Sequence, residues 1–387
     1  MEAHNQSDRI VIKLHSDFTE LSQQWDDVVQ SSDTSNTPFL SFVWIQDWWK
    51  ATEGRERSEP WIVCATLDGQ IIGIAPLVRI RRYGCRVLHF LGTSFTGYSE
   101  IVTTDKTDHC RLAIFQWLLL HRHEWDVIIL KELAISGEEA MNYCTTADSA
   151  GLRYHKGTEY SHVITHTRGT WNDYVSKRPG SFKAFLGNIR RHSRRLSELG
   201  ELEISHHCSM NPQEYSFIQD EIENIEKRSW KYTAGSSWLC NAAQRDFYKR
   251  IMERFRENGL EIWVVRLSGK AICYCVNLAY ANKLYYLIPS YDKEFAKYSV
   301  GTLLLKEMIE KCFSTKIDTF DFLPGNEPYE FRWGTVIKQS YQLTVWHSLP
   351  RSIMGYMIFV LIRRLRNWGK LHLKLGSIQN NIRRLIK

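Results

Sequence analysis

The order strand, tight turn, strand, strand, helix, strand occurs twice in this chain. "WIVCATLDGQIIGIAPL" (61–77) reads as two apolar strands around a turn carrying Gly. "IWVVRLSGKAICYCVNL" (262–278) repeats it, with Leu67, Gly69 and Ile72 opposite Leu267, Gly269 and Ile272. Further strand-like sequence follows each hairpin, at 87–91 and 101–103 in the first copy and at 284–288 in the second. A helical stretch comes next (111–122 and 302–313), then a buried-looking strand, "WDVIIL" at 125–130 and "IDTFDF" at 317–322. This order predicts an α/β fold of two tandem related units, each an α+β mixed sheet. The units are set at 10–165 and 166–348, with a separate tail at 349–387.

Charge divides the chain at the same place. Of its 50 Lys and Arg, nine lie in 351–387, a stretch with no Asp or Glu. Setting those aside leaves 41 basic against 43 acidic residues, so the net +7 of the whole becomes −2 for the body. A body of that balance lacks the spread basic face that nucleic-acid binding needs, and no DNA partner is expected. Nine cysteines, scattered and without a CxxC, argue against a disulfide framework and a zinc site, so no metal is expected. The N-terminal "MEAHNQSDRIVIKL" lacks the basic-then-apolar order of a secretory signal, which implies a cytoplasmic protein.

The tail opens with "IMGYMIFVLI" (353–362), ten apolar residues where a bilayer span needs about 20. Arg363, Arg364, Arg366, Lys370 and Lys374 follow, with Trp368 among them. That chemistry suits a helix lying on an anionic membrane surface, as in a peripheral protein on the inner face of the membrane. It also suits a helix docked by its apolar side on the body, or a contact with RNA.

Between the repeats, Phe182, Phe185, Ile189, Leu196 and Leu199 recur at helical spacing, with Gly200 as a C-cap. Arg190, Arg191, Arg194 and Arg195 on that helix form i, i+4 pairs, suited to phosphate or carboxylate, or equally to a solvated face. In "IEKRSWKYTAGSSWL" (225–239), Arg228, Trp230 and Tyr232 fall in a predicted loop, lining a pocket or packing in a core. Further on, Ser299 reads as an N-cap and Gly301 as room for close approach. Ser299, Val300, Gly301 and Thr302 would then offer N–H groups and a positive helix end to a pyrophosphate. In "DFLPGNEPYEFRWG" (321–334), Asp321 and Glu327 are the available carboxylates, and Asp321 either contacts substrate or bonds to turn N–H groups. Tyr329, Phe331 and Trp333 at alternate positions predict an extended segment with the aromatics inward and Glu330 and Arg332 on the other face. With no GxSxG and no HExxH, serine-hydrolase and zincin chemistry fall away.

The stretches "PFLSFVWIQDWW" (38–49), "IIGIAPLVRI" (71–80), "LHFLGTSFTGYSEIV" (88–102), "FLGNIRRHSRRLSELG" (185–200), "KRSW" (227–230), "YSVGTLLL" (298–305) and "FDFLPGNEPYEFRWG" (320–334) carry a resemblance. In that order they resemble the acyltransferase-like group of the GNAT superfamily associated with cellulose and exopolysaccharide biosynthesis, which is related to the Fem peptidyltransferases. The resemblance implies two tandem GNAT-like domains facing a shared cleft. It also implies acetyl-CoA or another acyl-CoA as donor at Ser299–Thr302, and an amine or sugar derivative as acceptor, such as a sugar nucleotide or polysaccharide precursor of the cell envelope. The first domain has no Gly at its helix entry (103–111) and is expected to bind no donor. The Fem relatives supply one alternative, an aminoacyl-tRNA donor, and a non-catalytic scaffold in a polysaccharide assembly is another. For direct acyl transfer, Asp321 and Glu327 are the expected bases, and Tyr291 and Tyr329 the expected acids for the leaving thiolate. Acceptor contacts are expected from Tyr98, Arg190, Arg191, Arg194, Arg228, Trp230, Glu330, Arg332 and Trp333. Two positions depart from the group: Glu100 replaces an Asp, and Glu330 stands where a Lys is usual, reversing a charge.

Overall fold

The computed structural model describes residues 10–32, 36–54, 57–93, 97–104, 107–133, 137–362 and 364–365. The first unit runs β1 (Val11–His15), α1 (Ser22–Ser31), α2 (Phe42–Thr52), β2 (Glu59–Leu67), β3 (Gln70–Arg82), β4 (Cys85–Phe90) and β5 (Val102–Thr103). It continues through α3 (Thr107–Leu120), β6 (Val127–Leu133), α4 (Gly137–Ser149) and β7 (Arg153–His166). Helices α5 (Trp171–Ser176) and α6 (Gly180–Ser197) lead to the second unit. There follow β8 (Leu202–Cys208), α7 (Pro212–Arg228), α8 (Trp230–Thr233), α9 (Ala242–Phe255), β9 (Leu260–Leu267), β10 (Lys270–Tyr280) and β11 (Lys283–Tyr291). Then come α10 (Val300–Cys312), β12 (Thr319–Gly325), α11 (Glu330–Trp333) and β13 (Val336–Trp346), and a helix at 350–362, α12.

The repeat is local in origin. Each hairpin turns on two residues with positive φ: Asp68 and Gly69 at +50° and +81°, Ser268 and Gly269 at +48° and +78°. Two such residues make the turn whose twist matches the flanking strands. A bulge then falls at the same place in both copies, at Ile72 between the pairs Ala65–Gly73 and Thr66–Ile71, and at Ile272 between Arg266–Ala271 and Val265–Cys273. Helix α3 in one copy and α10 in the other crosses to a parallel neighbour, β4 to β6 and β11 to β12.

The two copies share one sheet, ordered β1-β2-β3-β4-β6-β13-β7-β12-β11-β10-β9-β8. The junction is crossed. Strand β7 ends the first unit in sequence, yet its end pairs with β12; β13, which ends the second unit, lies between β6 and β7. One face of the sheet carries a core common to both units, in which Trp44 of α2 meets Phe247 of α9 edge-on at 5.1 Å. Across the same helices, Arg254 grips the buried Asp47 with two hydrogen bonds of 2.5 and 3.0 Å. The opposite face is divided, with α3 and α4 covering the first unit and α6 and α10 the second.

The apolar start of the tail is helix α12, which docks on the first unit through one face. Gly355 sits against Val127 and Cys85, Tyr356 stacks on Trp346 at 3.7 Å, and the Ser352 hydroxyl donates to the Asp126 carbonyl. The basic residues of 366–387 lie outside the described residues.

Candidate active site

Strands β11 and β12 are paired over only three positions, Lys283–Thr319, Leu284–Phe320 and Tyr285–Asp321, and then part. Leu287 is bulged out of the pairing between β10 and β11, because Val276 meets Ile288 while the next residue, Asn277, meets Tyr286. A cavity of about 420 Å³ opens where the strands diverge. Tyr286, Leu287 and Pro289 of β11 and Phe322, Leu323 and Pro324 of β12 form two of its walls. The first unit closes it with Gly97, Lys131, Glu132 and Tyr160, and Tyr248 of α9, Tyr329 and Glu330 complete it. Both units therefore line the cavity. Gly97 has to be glycine: its φ is +73°, and a Cβ there would lie 2.6 Å from the Pro324 ring.

Backbone strain marks the same walls. Glu132 and Leu323 both adopt positive φ, +58° and +63°, a region that bulky side chains avoid. Asp321 holds the Leu323 conformation by accepting its N–H at 2.8 Å.

Asp321 lies in a closed network rather than on the cavity wall. His162 Nε2 is 2.7 Å from its Oδ1, and the Tyr98 hydroxyl donates to its Oδ2 at 2.5 Å while standing 2.9 Å from the same His162 nitrogen. Burial alone would raise the Asp321 carboxyl, but His162, Tyr98 and the Leu323 N–H together hold it below the usual carboxylate value. One ring nitrogen serves both partners, and buried Nδ1 has none among the described residues, so the trio acts as a clamp. It ties together β7, β12 and the loop bearing Tyr98. Of the two roles read from sequence for Asp321, the geometry displays the bond to a turn N–H.

Glu330 is the carboxylate that the second unit brings to the cavity, where the first unit brings Glu132. The segment 330–333 is a helical turn, not the extended stretch predicted from alternating aromatics, so its side chains fan out instead of alternating. Trp333 is fully buried, Phe331 is exposed, and Glu330 turns inward to 4% exposure. Arg332, expected beside Glu330, points outward and lies over the Phe185 ring at 5.1 Å. Burial first, and the neighbouring Glu327 second, push the Glu330 carboxyl up from 4.5 to about 7. Its Oε2 has no hydrogen-bond partner among the described residues. Glu327 itself is exposed on the bend. Burial raises the Tyr329 phenol, which stays protonated at neutral pH.

The remaining sequence-predicted residues are dispersed. Arg228 is committed to the buried Asp292 (2.6 Å) and the Ala271 carbonyl (2.9 Å), which gives it a structural bond instead of a free cationic head. Trp230 and Tyr232 form the short helix α8 and are exposed, outside the cavity lining. Between them Lys231 donates to the Pro289 carbonyl at 2.7 Å, beside the cavity. Arg190, Arg191, Arg194 and Arg195 are exposed on α6, whose apolar side (Phe182, Leu186, Ile189, Leu196) packs into the second unit. Ser299 stands at the N-cap position of α10, but with φ +52° and no capping bond from its side chain. Its carbonyl takes the N–H groups of Thr302 and Leu303, while those of Val300 and Gly301 stand at the open end of the helix. Gly301 faces Tyr291, two residues beyond Pro289 on β11.

Lys131, Glu132, Tyr160, Tyr248 and Tyr286 escaped the sequence reading. The charged pair Lys131–Glu132 directly after the apolar run 127–130 was the one available signal.

Residues 183–330 match the family model of the acetyltransferase (GNAT) domain, the stretch that contains the diverging strands, the α10 entry and Glu330. The second unit thus contains a stretch similar to the acetyltransferase (GNAT) domain. No curated protein matches the chain. The crystal structure of FemX is similar at 11% identity, covering 83% of this chain and 95% of that one, with a TM-score of 0.57. The C-terminal domain (DUF2156) of a putative lysylphosphatidylglycerol synthetase from Agrobacterium fabrum matches at 10% identity over 89% and 98% of the two chains, TM-score 0.54. A conserved protein of unknown function from Bacteroides thetaiotaomicron covers 87% of this chain and 100% of its own at 10% identity, TM-score 0.56. Likeness at such identities is one of fold.

Proposed function

We propose that this protein transfers an acyl group from acyl-CoA to the amine of a hydroxylated acceptor resembling an amino sugar, with Glu330 taking the proton. The observation carrying this reading is a buried carboxyl pushed up to about 7 on the wall of the cavity where β11 and β12 part. A base of that strength removes a proton from an ammonium and can release it again near neutral pH. Tyr160, Tyr248, Tyr286 and Tyr329 give the cavity aromatic faces and hydroxyls of the kind that sugar rings use. The N–H groups of Val300 and Gly301 fit a pyrophosphate, and acyl-CoA supplies the activated carbonyl. Glu330 takes the ammonium proton and passes it to solvent; the free amine nitrogen then bonds to the carbonyl and gives its surplus proton to Glu330, while the C–S bond breaks and the thiolate leaves with a hydrogen bond from Tyr329, which burial keeps protonated. We assign the acceptor to exopolysaccharide or cell-envelope precursors on the strength of the sequence resemblance.

Calorimetry with CoA, followed by thiol release from acetyl-CoA against a panel of amino sugars, tests the reading. Glu330→Gln should keep CoA affinity and lose about 100-fold or more in kcat. No CoA binding, or unchanged turnover in the variant, would refute it. A second donor is favoured by one feature: the exposed arginines of α6, beside the 293–298 turn that leads into α10, suit a polyanion such as aminoacyl-tRNA. Transfer from aminoacyl-tRNA with none from acyl-CoA would decide for it. Binding of neither donor would leave the scaffold.

A further inference from the structure

Helix α12 has two apolar faces, and the described residues cover only one of them. Successive residues on a helix turn by about 100°, so Ser352, Gly355 and Phe359 lie together and Met354, Met357, Leu361 and Leu365 lie together on another side. The first group is docked: Ser352 is fully buried, Gly355 meets Val127 and Cys85, and Phe359 packs on the common core and against Tyr83. The second group is bare, with Met354 56%, Met357 60%, Leu361 57% and Leu365 60% exposed, and Ile353 extends the stripe at 37%. Four long side chains at that exposure on one face are an apolar surface without a partner among the described residues.

We propose that this face of α12 seats on an anionic membrane surface. Charge names the occupant: 351–387 carries nine Lys and Arg and no acid, so the apolar stripe leads directly into a basic stretch. An apolar helix face flanked by cations binds at the boundary of headgroups and acyl chains. No described helix is long and apolar enough to cross a membrane, which fits a helix lying along the surface. The covered face fixes the orientation. Arg351 bonds to Asp126 and the Gly84 carbonyl, and Ser352 to the Asp126 carbonyl, so the helix is rigidly joined to the β4–β6 region. Lipid binding would therefore hold the first unit against the bilayer. This inference stands independently of the proposed reaction.

Flotation of the full chain with vesicles tests it, comparing phosphatidylcholine alone with phosphatidylcholine plus phosphatidylglycerol. Binding should require the anionic lipid and weaken as salt is raised. The double variant Met357→Asp, Leu361→Asp changes exposed positions only; it should keep the parent's circular dichroism and bind at least about tenfold more weakly. Equal binding to neutral vesicles, or undiminished binding by the variant, would overturn the proposal. So would sedimentation showing that the stripe makes a dimer, abolished by the same substitutions, with no lipid binding by the parent.

Discussion

Glu330 holds its proton up to about pH 7 in the folded chain, whereas an ordinary glutamate loses it near 4.5. Below 4.5 both folded and unfolded chains are protonated at this position, and it adds nothing to the pH dependence of stability. Between 4.5 and 7 the unfolded chain ionises first, so stability falls as pH rises and then levels off. A shift of that size corresponds to about 3 kcal/mol. Glu330→Gln removes the ionisation, so parent and variant should differ little at pH 4, and the variant should be more stable by about 3 kcal/mol at pH 8. Urea unfolding at the two pH values measures this; an offset equal at both would show that charge burial is not its cause. Asp321 has the opposite sign, since its carboxyl is held low and its contribution is lost only as acid protonates it. Two carboxylates nine residues apart thus differ because one has three donors and the other has an oxygen with none among the described residues.

Elements with a local cause were legible in the sequence. The two hairpins needed only Asp68–Gly69 and Ser268–Gly269 at the turn, and the Ile72 and Ile272 correspondence became a shared bulge. Helix α6 was visible from its apolar period, although it ends at Ser197, before Leu199 and Gly200. What failed was the bend after β12. The alternating aromatics 329–333 imitate a strand, but β12 stops at Gly325 and the next residues coil into one helical turn, which only packing of Trp333 against Phe182 and Phe185 decides. The α10 entry gives a test at this scale. A Cβ at Gly301 would meet the Tyr291 ring at 3.4 Å, an ordinary contact, so Gly301→Glu should fold. Its carboxylate would repel a pyrophosphate at the Val300 and Gly301 N–H groups, and CoA affinity should fall at least about tenfold by calorimetry. Equal affinity with an intact circular dichroism spectrum would remove the site from α10.

At the scale of the whole molecule, the two repeats are interleaved in one sheet. Pairing between β13 and β6, and between β7 and β12, joins residues that no local pattern links, and so the single sheet could not be read from the sequence. Strand β13 supplies Leu343 and Val345 to the core of the first unit, and β7 supplies Val163 to that of the second. A fragment ending after β7 would expose the edge of β6 and lose those two apolar side chains, each worth about 1.5–3 kcal/mol when fully buried. Deficits of that size rival the net stability of a domain, about 5–15 kcal/mol. Residues 10–166 expressed alone should therefore fail to give cooperative unfolding, while the chain through 365 should unfold in one calorimetric transition. Co-expression of 10–166 with 167–365 should restore a soluble complex, because the crossed strands can still pair between fragments. Two separate transitions in the intact chain, or a stably folded 10–166, would show that each repeat is a self-sufficient domain and that the crossing only tethers them.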